Sequence, residues 1–363
     1  MKRNLLYIAR EPQVLNSGGS SVDQRNLRVL REIFGEENVT VEYLPKTTLR
    51  SVMLSLLTLS SYGVSRKQEK KILQLQKENH YSLVFIEGSF CGRLVSELTM
   101  LRCKIVIHMH NVEAKLYEER LSSEKGIIPF LRYKFIKFNE SLSMKHAFAV
   151  INLNDRDSAD MFEIYNRKAD IILPITFPNR HITTDIQKSG NYLLFVGSDF
   201  FPNIEGIIWF IKNVAPYINT TLKIIGGCCK NPLVQSTPLP NNVELVGYVD
   251  DLSTYYLNAS AIIAPIFKGS GMKTKTIEAM SFGKTIIGTD EAFVGIDNPD
   301  KIIGAKCNTA KEFIDAINNL DNKTVNVNTL NAFNASYTDE VFKTKLTDFL
   351  NSVAKHNSHD YRR

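Results

Sequence analysis

The stretch GSGMKTKTIEAMSFGKTIIGT (269–289) gathers glycines, lysines and a carboxylate at a spacing that could hold a phosphate-bearing ligand. Gly269 and Gly271 lack side chains, so the backbone there can approach a ligand closely. A helix running from about Met272 to Phe282 would aim its first N–H groups and the positive end of its dipole at an anion. Lys273 and Lys275 then fall in the first turn, where the dipole disfavours cations, and a bound phosphate would relieve that conflict. Glu278, three residues past Lys275 and on the same face, could accept hydrogen bonds from ribose hydroxyls. The same residues also fit two solvated lysines and one i,i+3 ion pair, and spacing alone does not separate the readings.

The Gly283-Lys284-Thr285 triplet is not a P-loop. That motif needs a glycine five residues earlier, directly after a strand, and Glu278 stands there. Gly283 reads as a helix stop before the next strand.

Other groups could do chemistry elsewhere in the chain. Gly18 and Gly19 follow one strand and precede a helix carrying Arg25 and Arg28, with no third glycine in dinucleotide register. His108 and His110 bracket the end of a strand, where open α/β sheets present functional groups. Gly88, in EGSF (87–90), closes another strand and reads as a simple turn. Asp250-Asp251 is not a D-x-D pair but an ordinary acidic start to a helix. No His, Cys and carboxylate set has metal-ligand spacing, so no metal site is expected.

These positions need a scaffold, and the chain supplies one twice. Short apolar, β-branched runs alternate with helical patterns at 4–10, 39–44, 81–88, 103–110, 146–152 and 169–175. Runs of that kind are buried parallel strands. Helical patterns lie between them at 21–34 and across 112–145. Residues 172–191 hold two prolines and no sustained period, and read as a linker. The alternation then restarts at 191–198, 221–227, 242–249, 261–266 and 285–289, with helices at 203–218, 252–259 and 339–353. Two such series predict two doubly wound α/β domains facing each other across a cleft. Their expected bounds are 1–175, 176–338, and a last helix with a polar tail over 339–363.

The bulk numbers narrow the classes. At 363 residues two domains are the natural division. A net charge of +6 suits anionic ligands or an anionic membrane surface, and is too dispersed for nucleic acid. Five cysteines without C-x-x-C spacing indicate a reduced, cytoplasmic chain. MKRNLLYIAR is too short an apolar run for a signal peptide, and no eighteen-residue apolar window exists to span a bilayer. IPFLRYKFIKF (128–138) and LRSVMLSLLTLSSYGVSRKQEKK (49–71) mix apolar and basic residues. Each alone reads as a core-facing helix with snorkelling lysines, and together they suggest peripheral contact with an anionic leaflet.

The segment G-S-G-M-K-T-K-T-I-E-A-M-S-F-G-K resembles the nucleotide-sugar motif of glycosyltransferase family 4. LLFVGSDFFPNIEGIIWFI (193–211), HMHNVEAKLY (108–117) and SGGSSVDQRNLRVL (17–30) are similar to further segments of that family, in the same order over most of the chain. The resemblance implies a GT-B fold, with a nucleotide-sugar held by the C-terminal domain and the acceptor by the N-terminal one. It implies donor contacts from Gly18, Gly19, Gly197, Gly269, Ser270, Gly271, Met272, Lys273, Lys275 and Glu278. Lys273 and Lys275 would meet the diphosphate and Glu278 the ribose. His110, before His108, becomes the active-site histidine near the donor sugar, so that His110, Lys275 and Glu278 form the reacting set. Many members carry a further glutamate where this chain has Ser270, which leaves the contacts to the sugar hydroxyls open.

The function these observations imply is glycosyl transfer, with retention and without a metal, from a nucleoside-diphosphate sugar to a glycan or lipid-linked hydroxyl. The setting would be synthesis of a cell-surface polysaccharide or glycoconjugate. No cofactor is implied beyond the donor itself. The competing readings are a catalytically silent binding subunit and a nucleotide-sugar epimerase of the same fold. The latter lacks a recognisable acid/base set.

Overall fold

A computed structural model of the chain describes residues 4–11, 18–121, 124, 126–182, 192–269, 271–299, 304–320 and 325–355. The chain divides into two compact units at Pro174/Ile175, and returns to the first unit at Lys343.

In the first unit the elements follow the order β1 (Leu5–Arg10), α1 (Gly18–Phe34), β2 (Val39–Leu44), α2 (Leu49–Leu57), α3 (Arg66–Asn79), β3 (Leu83–Glu87) and α4 (Gly92–Met100). Then come β4 (Lys104–His108), α5 (Glu113–Leu121), α6 (Ile127–His146), β5 (Ala149–Asn152), α7 (Asp155–Tyr165) and β6 (Ile171–Ile172). The six strands form one parallel sheet in the order β2-β1-β3-β4-β5-β6. Leu5, Leu6, Ile8, Val84, Phe85 and Ile86 have no exposed surface, because helices cover both faces, which is why these strands are apolar without alternation. The chain leaves β1 in one direction to β2 and in the other to β3. The β1/β3 boundary is therefore the point where open α/β sheets bind ligands.

The second unit runs β7 (Tyr192–Val196), α8 (Phe201–Asn213), β8 (Thr221–Ile225), α9 (Pro232–Gln235), β9 (Val243–Gly247), α10 (Ser253–Asn258) and β10 (Ala259–Ala264). It continues with α11 (Thr274–Ser281), β11 (Ile286–Gly288), β12 (Gly304–Lys306), α12 (Ala310–Asn318) and α13 (Val327–Ser336). Its sheet is also parallel, ordered β12-β11-β10-β7-β8-β9, with the switch between β7 and β10. The core between sheet and helices is built from Leu193, Phe195, Ile207, Phe210, Ile224, Ile263 and Phe313. A last helix, α14 (Asp339–Lys355), starts in this unit and ends in the first, where Lys343 Nζ meets Glu32 Oε2 at 2.7 Å.

Every strand expected from the sequence is present, most of them shortened at their ends; β2 keeps its expected bounds, and β10 starts and ends two residues early. The expectations name no element at α4, α7, α9, β12, α12 or α13, and the single helical stretch across 112–145 is two helices, α5 and α6. α1 starts at Gly18, not 21, so the two glycines open the helix. The expected linker, 172–191, lies partly outside the described residues.

The two mixed apolar and basic segments also differ from the core-facing expectation. The stretch 49–71 is split into α2 and α3, with Ser65 capping the second. Leu49, Met53, Leu54, Leu57 and Leu59 on and after α2 point to solvent, as do Ile127, Ile128, Phe130 and Leu131 at the start of α6. Leu57 is 79% exposed and Ile127 68%, so these are not core positions. Val52 of α2 packs with Tyr62, Phe135 and Ile136, which ties the two segments to one another.

Candidate active site

In the second unit the residues of 269–289 gather at the β7/β10 switch. β10 ends at Ala264, and the turn that follows passes through Gly269 at φ 121° and Gly271 at φ 71°. Both angles lie in the region that residues with side chains avoid, so the glycines are there to make this turn. Ser270 lies outside the described residues. Met272 is buried, and α11 begins at Thr274, two residues later than expected.

That shift changes the role of each lysine. Lys273 is the N-cap residue, outside the first turn, and its Nζ donates to Gly271 O at 2.8 Å and Glu291 Oε1 at 2.7 Å. Its charge is already neutralised by Glu291. Lys275 is the second helical residue, and its Nζ crosses the switch to donate to Asn203 Oδ1 on α8 at 2.6 Å. It also stands 4.3 Å above the Phe195 ring of β7. Burial, helped by the charge of Lys273 and opposed by Cys228, brings Lys275 down to about 7.

Glu278 does not pair with Lys275. Tyr256 on α10 donates its hydroxyl to Glu278 Oε2 at 3.2 Å, and Arg180 Nη2 stands 3.8 Å from Oε1. Burial raises the carboxyl above its ordinary range, while Tyr256 and Arg180 oppose that rise. Arg180 Cζ lies over Phe282, 3.9 Å from the ring centroid, and its Nε donates to Ser281 Oγ at 2.9 Å. Phe282 in turn stacks on Tyr256 at 4.7 Å and 11°. Arg180 had no sequence signal, being one basic residue in a polar stretch. The alternative of two solvated lysines and an i,i+3 ion pair is therefore not what forms.

The Gly-Lys-Thr lysine is structural. Gly283, at φ 61°, ends α11, and its N–H and that of Lys284 return to Met280 O and Ala279 O. Lys284 is 1% exposed and donates to Leu257 O at 2.9 Å and Ala259 O at 3.1 Å. Gly197 joins β7 to the loop before α8, its N–H on Ile225 O and its carbonyl accepting from Cys228 N. Asp251 accepts from Ser253 N at 2.8 Å, a local turn bond, and the N-cap of α10 is Leu252 and not an aspartate as expected.

In the first unit a hydrogen-bonded cluster occupies the β1/β3 switch, with Glu87 at its centre. The sequence reading of EGSF as a plain turn is corrected here. Tyr7 of β1 donates its hydroxyl to Glu87 Oε1 at 3.0 Å, and Asn26 of α1 donates to the same oxygen at 2.8 Å. His108 Nδ1 and His110 Nε2 lie 2.9 and 3.0 Å from Oε2. His110 Nε2 is also 3.2 Å from Asp23 Oδ1. Arg25 donates to Asn26 Oδ1 from Nε and Nη2, which leaves the Asn26 amide nitrogen facing Glu87 and His108.

The two histidines differ. His108 is fully buried, burial lowers its basicity, and its Nε2 has no hydrogen-bond partner among the described residues. His110 keeps 22% of its side chain exposed. Burial works against its charge, but the neighbouring carboxylates of Asp23 and Glu87 outweigh it and push the ring up to about 10. Glu87 resists burial through both histidines and is held well below the usual carboxylate range. Of the two histidines, His110 is the one that reaches the surface.

The expectation that no metal-type cluster exists needs correction. Glu87, His108 and His110 bring ligand atoms within 4.8 Å of one another. Chain spacing hid this, because β3 and β4 register sets it. Tyr7, Asn26, His108 and His110 all stand at hydrogen-bond distance from Glu87, however, so hydrogen bonding is enough to hold these side chains together.

Two parallel, Rossmann-like α/β units in one chain define the GT-B fold. Residues 190–322, in the second unit, match the family model for glycosyl transferases group 1. A protein described as an uncharacterized 44.6 kDa protein in the cps region of Klebsiella pneumoniae is 23% identical over 261 residues. That match covers 66% of this chain and 65% of the relative, less than two thirds of its length. Among solved structures, sucrose-phosphate synthase from Thermosynechococcus elongatus is similar with a TM-score of 0.68 at 14% identity, covering 97% of this chain and 99% of that one. HepE of Anabaena, in complex with UDP and glucose, is similar with a TM-score of 0.66 at 12% identity, covering 96% and 100%.

Proposed function

We propose that the chain transfers a sugar from a nucleoside-diphosphate sugar to a hydroxyl of a glycan or lipid-linked acceptor. The observation that carries this is Lys275 at the N-terminus of α11, hydrogen-bonded across a sheet switch point, with Glu278 one turn deeper. A diphosphate fits there by charge: the α11 dipole, its free N–H groups and Lys275 all favour an anion. As the glycosidic bond breaks, charge grows on the leaving diphosphate, and those same groups oppose it without rearranging. Glu278, aimed by Tyr256 and Arg180, accepts from vicinal ribose hydroxyls. The match of 190–322 to a glycosyl transferase model supports this, as does UDP in the HepE complex.

The reading extends to retention of configuration, to catalysis without a metal, and to a cytoplasmic place in cell-surface polysaccharide or glycoconjugate synthesis. The setting of the Klebsiella relative in a cps region supports the last point. The first unit binds the acceptor and rests on an anionic leaflet through α2 and the start of α6. Exposed Leu49, Leu57, Ile127 and Ile128, beside Arg50, Arg132, Lys134 and Lys137, fit an apolar and anionic surface together. No described helix is long and apolar enough to cross a membrane.

A thermal-shift screen against UDP-, GDP- and other activated sugars tests the donor reading, since a selective ligand raises the melting temperature by mass action. Silence across the whole panel, with no hydrolysis or transfer, would remove it. Flotation with vesicles containing an anionic lipid tests the surface. Leu57→Glu with Ile127→Glu should abolish co-flotation, and wild-type protein that stays behind at low salt counts against it.

A further inference from the structure

We propose that Glu87 is the positioning residue that fixes His110 with its Nε2–H turned to the Glu87 carboxylate and a second carboxylate, Asp23, close by, so that the ring acts as a held cation and hydrogen-bond donor, not as a base. What the ring acts on rests on the glycosyl-transfer reading; its state rests on geometry alone. Nε2 lies 3.0 Å from Glu87 Oε2 and 3.2 Å from Asp23 Oδ1. An ionised Glu87 only accepts, so this nitrogen carries its proton toward Oε2.

Glu87 cannot swing aside. Tyr7 from β1, Asn26 from α1 and His108 from β4 hold it along with His110, all four at hydrogen-bond distance from its two oxygens. A buried carboxylate satisfied in this way stays ionised, and an ionised neighbour at hydrogen-bond distance favours the charged ring. The groups facing His110 are Asp23 on α1, Glu87 on β3, His108 beside it on β4 with ring centroids 5.1 Å apart, and Glu113 on α5. Arg25 bears on His108. Of these, only His108 and the more distant arginine oppose the charge, and His108 is kept neutral by burial.

The consequence is chemical. A ring already protonated at neutral pH cannot take the proton of an attacking hydroxyl. It can hold an oxygen of the substrate or neutralise negative charge building on it, and the proton of the acceptor must leave by another group. On the donor side, the departing diphosphate oxygen is the acceptor for that proton with the right charge.

Imidazole nitrogen NMR of the full chain reads the ring directly. The His110 signals are identified by their loss in His110→Gln. In wild-type protein His110 should remain doubly protonated through pH 8, and in Glu87→Gln its midpoint should fall by two pH units or more. A wild-type midpoint near that of free histidine, or an unmoved midpoint in Glu87→Gln, overturns the proposal. If Glu87→Gln fails to fold by circular dichroism, Asp23→Asn serves in its place, with a fall of at least one pH unit expected and no fall counting against it. The titration uses no substrate, so loss of sugar transfer with a high His110 midpoint would sink the functional reading and leave this one standing.

Discussion

Lys275 Nζ sits 2.6 Å from Asn203 Oδ1, and the two residues come from opposite sides of the β7/β10 switch. The hydrogen bond joins the start of α11 to α8 and leaves the ammonium between the Phe195 face and the helix N-terminus. Replacing Lys275 by Ala should cut donor affinity and transfer together by 100-fold or more, since a charge-assisted contact of about 3 kcal/mol is lost. Isothermal titration with UDP, followed by a turnover assay, measures both. Unchanged values would remove the phosphate assignment.

The same lysine predicts a pH dependence. Its folded value, about 7, lies below the unfolded one, so the unfolded chain binds more protons between those limits. The destabilising contribution is therefore full below pH 7 and fades as pH rises from there toward the ordinary lysine range. A bound diphosphate favours the charged amine, so binding above pH 7 takes up a proton and affinity declines by up to tenfold per pH unit. Calorimetry in buffers of different ionisation enthalpy should show net proton uptake at pH 8, and none in Lys275→Met. Equal heats in all buffers for wild-type protein would contradict the coupling.

Arg180 carries a third prediction. It gives Glu278 a nearby positive charge while packing over the Phe282 ring, a combination that a lysine, without the planar guanidinium, does not reproduce. Arg180→Ala should raise the donor KM by about fivefold, near 1 kcal/mol, with kcat less affected. Arg180→Lys should recover little of it. A deoxyribose donor analogue should lose most of the difference between wild type and variant, because the hydroxyls that Glu278 would hold are then reduced in number. If both donors respond to the substitution alike, Glu278 is not read through Arg180.

How far the sequence reached follows from what each feature depends on. The strands of both sheets were legible because burial on both faces leaves continuous apolar runs, as in LLYIA and LVFIE. β12 was not, because Gly304, Ala305 and Lys306 form a three-residue edge with no apolar run. The turn at Gly269 to Gly271 and the stop at Gly283 were legible because they are local. Partners were not: Asn203 for Lys275, Tyr256 and Arg180 for Glu278, and the whole Glu87 cluster depend on which strands lie side by side. Glu87 looked like the end of a strand, and only the β1, β3 and β4 registers turn it into the centre of a network.

Lys284 tests the distinction between the two lysine types in the segment 269–289. Its Nζ satisfies two carbonyls where α10 passes into β10, and burial lowers it to about 8. Lys284→Met keeps the aliphatic stem but leaves Leu257 O and Ala259 O without their donor. That should cost about 2 kcal/mol of stability, two lost hydrogen bonds offset by the removal of a buried charge. The offset depends on pH. The charged form is unfavourable in the folded state up to pH 8 and this penalty fades above it, so the variant should lose least stability in acid and more as pH rises through 8 to 10. Donor affinity should stay within twofold of wild type, because no part of Lys284 lies at the α11 N-terminus. Urea denaturation at pH 6 and 9, set beside UDP titration, separates the two effects. A variant of normal stability with lost UDP binding would return the Gly-Lys-Thr triplet to the phosphate site.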